Sequence, residues 1–143
     1  MYSLRAASQA DFKFLQVTHE KTLRPYVEQI WGWNDSQQES LLRDRFDPTQ
    51  LQIIQIKGKD IGLLQVERRP GAVFLGNLLI LPGYQRCGLG TLIVQDIIKD
   101  AGDLPVELSV LKPNPAKRLY ERLGFLITSQ DDVRYQMKRN PRI

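Results

Sequence analysis

A chain of 143 residues with 42% hydrophobic and 25% charged side chains suits one soluble globular domain and leaves no room for a second sizeable core. A single cysteine, Cys87, and a single histidine, His19, exclude an intramolecular disulfide and a Cys/His zinc site. The net charge of +4 resolves into 12 Lys+Arg against 13 Asp+Glu over residues 1–111 and 8 against 3 over residues 112–143, which points to a local anionic partner rather than a general polyelectrolyte role.

Any Ser/His/Asp or Cys/His device would have to run through His19. If the chain is an enzyme, its chemistry comes from a bound cofactor, a carboxylate, a tyrosine or the backbone. No apolar run approaches the ~20 residues of a membrane span. The opening MYSLRAASQADF lacks a signal-peptide core and meets Arg5 early, so the cytoplasm is the expected location.

No repeat or low-complexity stretch divides the chain, and residues 1–143 read as one domain. Tyr2 to Ala7 reads as a first strand. Ser8 and Asp11 then have capping-box spacing, and the helix that follows carries Phe12, Leu15, His19 and Leu23 along one face. Pro25 is expected to interrupt it, Pro25 to Gly32 to form a second short helix, and Ser36 with Glu39 to open a third segment containing Leu41, Leu42 and Phe46.

From Leu51 the period shortens. LQIIQI, the turn Gly58-Lys59-Asp60 and IGLLQVE predict a hairpin, and Pro70-Gly71 turns the chain into a third strand, AVFLGNLLIL. After Leu81, the segment through Pro82-Gly83 and Gln85 to Gly90 enters a helix. Leu89, Leu92, Ile93 and Ile97 form its apolar face, Gln95, Asp96, Lys99 and Asp100 its polar one, and Gly102 its end. VELSVL is the next strand.

Asn114 fits an N-cap and Pro115 the first helical position. The helix so opened has Ala116, Leu119, Tyr120 and Leu123 as its buried stripe, with Lys117, Arg118, Glu121 and Arg122 outward, and stops at Gly124. Phe125 to Ser129 and Val133 to Lys138 make a last strand pair around Asp131-Asp132. The order is βααβββαβαββ, a mixed sheet with helices on its faces.

The glycine segment carries the chemistry. Gly88 and Gly90 lie between a strand and a helix, where the backbone can approach a ligand closely and the helix start offers unpaired amides and the positive dipole end. A phosphate is the natural occupant. The segment lacks the Lys-Ser/Thr ending of a P-loop and the third glycine of a dinucleotide fingerprint, which argues against nucleoside triphosphates and NAD.

With its surroundings, LLILPGYQRCGLGTLIV resembles the acyl-CoA loop of the GNAT superfamily of N-acyltransferases, whose Gln/Arg-x-x-Gly-x-Gly/Ala pattern is met by Gln85, Gly88 and Gly90. NPAKRLYERLGF resembles a second segment of the same superfamily, matched at Asn114, Ala116, Tyr120, Gly124 and Phe125. The matching segments cover about residues 73–126. The resemblance implies an α/β (α+β) GNAT fold: a mixed, mostly antiparallel, twisted sheet with two splayed central parallel strands and helices on both faces.

It further implies that acetyl-CoA is the cosubstrate, with no metal. Main-chain groups of Leu78, Leu79 and Ile80 would pair with the pantetheine arm, and amides of Arg86, Cys87, Gly88, Leu89, Gly90 and Thr91 would cradle the pyrophosphate. An amine would attack the thioester directly, with Tyr120 as acid to the departing thiolate. Tyr120 also reads as a core tyrosine with a satisfied hydroxyl. Asn114 could contact pantetheine or cap its helix, and Lys117, like Arg86, Arg118 and Arg122, could meet CoA phosphates or be a solvated charge.

Cys87 reads as an incidental small residue whose amide, not thiol, faces the ligand. His19 reads as a half-buried helix-face residue before a base. Many relatives place a glutamate on the strand before the loop, but here that strand carries Asn77, which could hold a water. Glu28 is the leading base candidate, ahead of Glu107 and Asp35, with a water chain to bulk as a further route.

Tyr26, Trp31, Trp33 and Asn77 are the candidate acceptor contacts. Aromatic walls among carboxylates suit a cationic amine, and equally the tryptophans fill space between helices. The expected partner is an amine-bearing acceptor, small molecule or protein. Nucleic acid and membrane are not expected, and an exposed edge in the final strand pair could support a homodimer. A catalytically degenerate acyl-CoA sensor or interaction protein is the alternative to an enzyme.

Overall fold

The computed structural model describes residues 1–141. The first strand, β1 (Tyr2–Ala6), gives way at Ser8 to the capping box: the Ser8 amide donates to Asp11 Oδ2 at 2.8 Å. The resulting 3-10 turn, Gln9–Asp11, runs straight into helix α1 (Phe12–Trp31).

Pro25 does not interrupt this helix. A proline inside a helix removes one amide donor and frees the carbonyl four residues earlier. Here that carbonyl belongs to Lys21, and both residues are exposed, so water can satisfy it. Arg24, next to the proline, pairs with both Glu20 and Glu28 and ties the turns before and after it together. The face expected from Phe12, Leu15, His19 and Leu23 is only half-buried, whereas Thr18 and Val27 are buried.

Helix α2 (Asp35–Arg45) starts one residue before Ser36, and its cap is Asn34, whose side chain accepts from the Gln37 amide at 2.9 Å. The sheet strands follow as β2 (Gln52–Ile56), β3 (Lys59–Arg69) and β4 (Ala72–Ile80). Helix α3 (Leu89–Ala101), strand β5 (Val106–Leu111), helix α4 (Ala116–Arg122) and strands β6 (Leu126–Gln130) and β7 (Arg134–Arg139) complete the order. α4 starts one residue later than expected, with Pro115 rather than Asn114 at its N-cap, but the Asn114 Oδ1 still accepts from the Ala116 amide at 2.9 Å.

The seven strands form one sheet in the order β1-β2-β3-β4-β5-β7-β6. β1 with β2, β2 with β3, β5 with β7 and β6 with β7 are antiparallel. β4 and β5 are parallel, in register at Val73–Val106, Phe74–Glu107 and Leu75–Leu108. Among the described residues, this mixed sheet with four α-helices is the expected α/β architecture. β6, at the sheet edge, is exposed throughout, including its hydrophobic Leu126 at 68%.

Two compact units make up the chain: Met1–Gln65 with Asn77–Tyr84, and Val66–Gly76 with the residues from Gln85 onward. In the first, Phe14, Leu15 and Leu23 of α1 pack with Ala7 on a buried cluster of Ile53, Leu63 and Leu79. Arg5 joins β1 to Asp11 at 2.8 Å and to Asp60 at 2.9 Å, holding both carboxyls below their usual range. In the second unit, α3 buries Leu89, Ile93, Val94, Ile97 and Ala101, and β5 buries alternate residues Val106, Leu108 and Val110, the period-two pattern of a strand. Among the described residues no helix is long and apolar enough to cross a membrane.

Candidate functional site

The glycine loop belongs to the second unit. Its residues Gln85, Arg86, Cys87 and Gly88 are exposed. Arg86 has φ 60° and Gly88 has φ 85° with ψ −1°, both left-handed. Glycine adopts that conformation freely, but an arginine there is strained. Left-handed residues alternating with ordinary ones turn successive amides toward one side, forming an anion-binding concavity.

α3 continues the concavity. Its N-cap is Gly88, with no side chain to accept from the first turn, and its first internal bond runs from the Leu92 amide to the Gly88 carbonyl at 3.0 Å. The amides of Leu89, Gly90 and Thr91 therefore have no intrahelical partner. At the positive end of a 13-residue helix, they favour a phosphate.

On α4, Tyr120 is buried to 8% exposure, with its ring edge-on to Phe125 at 5.6 Å. Burial pushes its phenol up to about 12. At neutral pH the group keeps its proton and can donate it to a ligand. Asn114 spends its carbonyl oxygen on the Ala116 amide, leaving its NH₂ for a ligand. Lys117 is half-buried, pairs with Glu121 at 3.4 Å and sits 5.0 Å from the Tyr135 ring centre, while Arg118 and Arg122 are exposed. Lys112 stands 5.2 Å from the same ring, a cluster that sequence spacing did not reveal because Tyr135 arrives from β7.

The acceptor candidates fall in the first unit, and the structure separates them. Tyr26 is half-buried, Trp31 is 56% exposed, and Glu28 is exposed and paired with Arg24. None of the three lines either of two cavities found in this unit.

The larger cavity, about 320 Å³, is lined by His19 of α1, Leu42 and Arg45 of α2, Gln65 of β3, and Asn77 and Leu79 of β4, among others. Asn77 Nδ2 donates to Gln65 Oε1 at 2.7 Å. Leu79, buried, thus joins Asn77 in the cavity wall, while Leu78 and Ile80 are half-buried. The smaller cavity, about 260 Å³, is more acidic, with Glu20, Asp35 and Glu39 in its lining beside Trp33. Trp33 is held there by Asp35, which accepts from its indole at 2.8 Å, and by the Arg24 guanidinium 5.2 Å from its ring centre.

The cavity roles of Gln65 and His19 were not drawn from the sequence. Alternation along β3 and β4 does put Gln65 beside Leu63 and Asn77 beside Leu79 on one face. The helix that covers that face is a tertiary fact.

The strand order, with one parallel pair in an otherwise mostly antiparallel sheet and a glycine loop entering the helix between the paired strands, defines an acetyltransferase-type α/β protein. The family model described as Acetyltransferase (GNAT) family matches residues 14–125, and the chain belongs to that family. A curated relative, the [ribosomal protein bS18]-alanine N-acetyltransferase of Haemophilus influenzae, is 43% identical over 54 residues. That match covers 36% of this chain and only 37% of the relative's length.

Among solved structures, the PaiA N-acetyltransferase of Thermoplasma acidophilum in complex with coenzyme A superposes with a TM-score of 0.75 at 18% identity, covering 98% of this chain and 99% of that one. The ribosomal-protein-S18-alanine N-acetyltransferase of Escherichia coli does so with a TM-score of 0.66 at 19% identity, covering 100% of this chain and 96% of that one. At these identities the likeness is one of fold.

Proposed function

We propose that the chain transfers an acetyl group from acetyl-CoA directly to a primary amine. The observation that carries this is the loop Gln85 to Gly90, with left-handed Arg86 and Gly88 opening α3, in a chain of the GNAT family. In this reading the amides of residues 86–91 bind the pyrophosphate, and backbone groups of Leu78, Leu79 and Ile80 bind the pantetheine. Asn114 and Lys117 contribute further contacts to the cofactor.

Tyr120 donates its proton to the sulfur as the carbon–sulfur bond breaks, leaving free CoA thiol and an N-acetylated amine. The amine must arrive deprotonated. Glu28 is engaged with Arg24 on the outside of α1, so the amide pair Asn77–Gln65 in the larger cavity is the better place to hold the water that takes the proton. The acceptor is a small-molecule or protein amine, and the chain works in the cytoplasm.

Calorimetry with acetyl-CoA tests the reading. Micromolar binding is expected, and no heat at tenfold higher concentrations would overturn it. The amide at position 77 in place of an acid favours a second reading, an acyl-CoA sensor without catalysis. Thiol release from acetyl-CoA in the presence of amines separates the two.

A further inference from the structure

The larger and the smaller cavity described above share two lining residues, His19 and Leu42. Only His19 can hydrogen-bond. It is the chain's sole imidazole, and its ring lies 5.9 Å from that of Trp33, tilted by 34°. Its Nδ1 is buried and has no hydrogen-bond partner.

That orphan nitrogen limits what His19 can do. A histidine base must pass through an imidazolium, in which both nitrogens carry protons and both need acceptors. Here the second N–H would be buried, charged and unpaired. The charged groups that line the two cavities are Lys13 and Glu20 from α1, Asp35, Glu39 and Arg45 from α2, and Asp47 just beyond, and none of them partners Nδ1. Burial alone lowers the pKa of the ring. An orphan lone pair is better tolerated than an orphan N–H, as it is for backbone groups, so the proton belongs on Nε2.

The larger cavity supplies a complementary set. Because one Asn77 Nδ2–H is donated to Gln65 Oε1, Asn77 Oδ1 remains as an acceptor and Gln65 Nε2, with the second Nδ2–H, as donors. Leu15, Leu42, Leu51, Leu63 and Leu79 provide apolar wall. An ammonium suits the oxygen of Asn77, and a second, oxygen-bearing group suits the N–H donors of His19 and Gln65.

We infer that His19 is a specificity-determining residue rather than the base: a neutral imidazole whose Nε2–H donates to an oxygen of the acceptor, which is a primary amine with an adjacent carboxamide or carboxylate and an aliphatic body. This rests on the acyltransferase reading above.

The test uses the full chain, acetyl-CoA and two amines of one carbon skeleton, leucinamide and 3-methylbutylamine, which differ by the carboxamide. The expected kcat/KM for leucinamide is about tenfold higher. His19→Leu should erase most of that preference through KM with kcat kept, and His19→Gln, which retains an amide donor, should keep part of it. In the unmodified protein, nuclear magnetic resonance of the single imidazole should show the Nε2–H tautomer, titrating below 6.5.

An unchanged preference in His19→Leu would overturn the inference. So would a fall in kcat in both variants with loss of an acid limb in the pH profile, which would mark a base, or an Nδ1–H tautomer. Acetyl-CoA binding without turnover of either amine would overturn it too. Absence of acetyl-CoA binding would strike the underlying reading instead, and the resonance signature of His19 would still report its state.

Discussion

A Cβ built on Gly62 of β3 would stand 2.3 Å from the carbonyl oxygen of Leu79 on β4, and 3.3 Å from the Cα of Ile80. The tightest contact is with backbone, and the Cδ1 of Ile54, 3.2 Å away, crowds the same space. Gly62→Ala must therefore displace the stretch Leu79–Ile80. Overpacking of this kind costs about 1–3 kcal/mol, and at ~2–4 °C per kcal/mol for a chain of this size a thermal melt should drop by roughly 5 °C. If Leu78 to Ile80 hold pantetheine, the variant should also bind acetyl-CoA several-fold more weakly by calorimetry. A melt within one degree of wild type would show that the strands part freely.

The sequence carried the parts of this fold that are local. Ser8 with Asp11, Asn114 ahead of Ala116, and the alternation in VELSVL each express a rule that acts over two to four residues, and each is present, although α4 starts one residue later than expected. Pro25 failed as a helix breaker because its cost depends on whether the freed carbonyl faces water, which is set by how α1 docks. The candidate site divides the same way. The segment Gln85–Gly90 is contiguous and its passage into a helix was legible, although α3 starts at Leu89 and takes Gly90 into its first turn. The cavities are assembled from α1, α2, β3 and β4, so no spacing along the chain announces that His19 and Asn77 line one space.

Arg86 offers a sharper probe of the loop than its glycines. A non-glycine residue at φ 60° costs about 1–2 kcal/mol, part of which glycine returns through the greater entropy of its unfolded chain. Arg86→Gly should thus raise the melting temperature by about 1–2 °C. If the guanidinium meets a CoA phosphate, the same change should weaken acetyl-CoA binding several-fold and flatten the salt dependence of that binding. A gain in stability with unchanged affinity would assign the arginine no part in the cofactor site.

Tyr120→Phe removes one oxygen and keeps the edge contact with Phe125. The proposed proton donation predicts a loss of turnover of about a hundredfold with acetyl-CoA affinity within twofold, read from steady-state thiol release and calorimetry. Because burial raises the phenol to about 12, its ionisation should leave no limb in the rate profile between pH 6 and 9. Unchanged turnover would return Tyr120 to the core.

Stability against pH separates His19 from the Arg5-paired carboxyls by window. His19 has a folded pKa below its unfolded 6.5, so the neutral form is the one the fold favours. Its contribution is complete above pH 6.5 and declines as pH falls through the lower folded value. Asp11 and Asp60, depressed by Arg5, contribute above their unfolded 3.8 and lose that contribution only at more acid pH. Urea unfolding should therefore show a first loss of stability below about pH 6.5 and a separate, later one below about pH 4. His19→Gln should abolish the first step and leave the second. Persistence of the first step in that variant would mean that another group titrates there, and that the orphan Nδ1 finds a partner in solution.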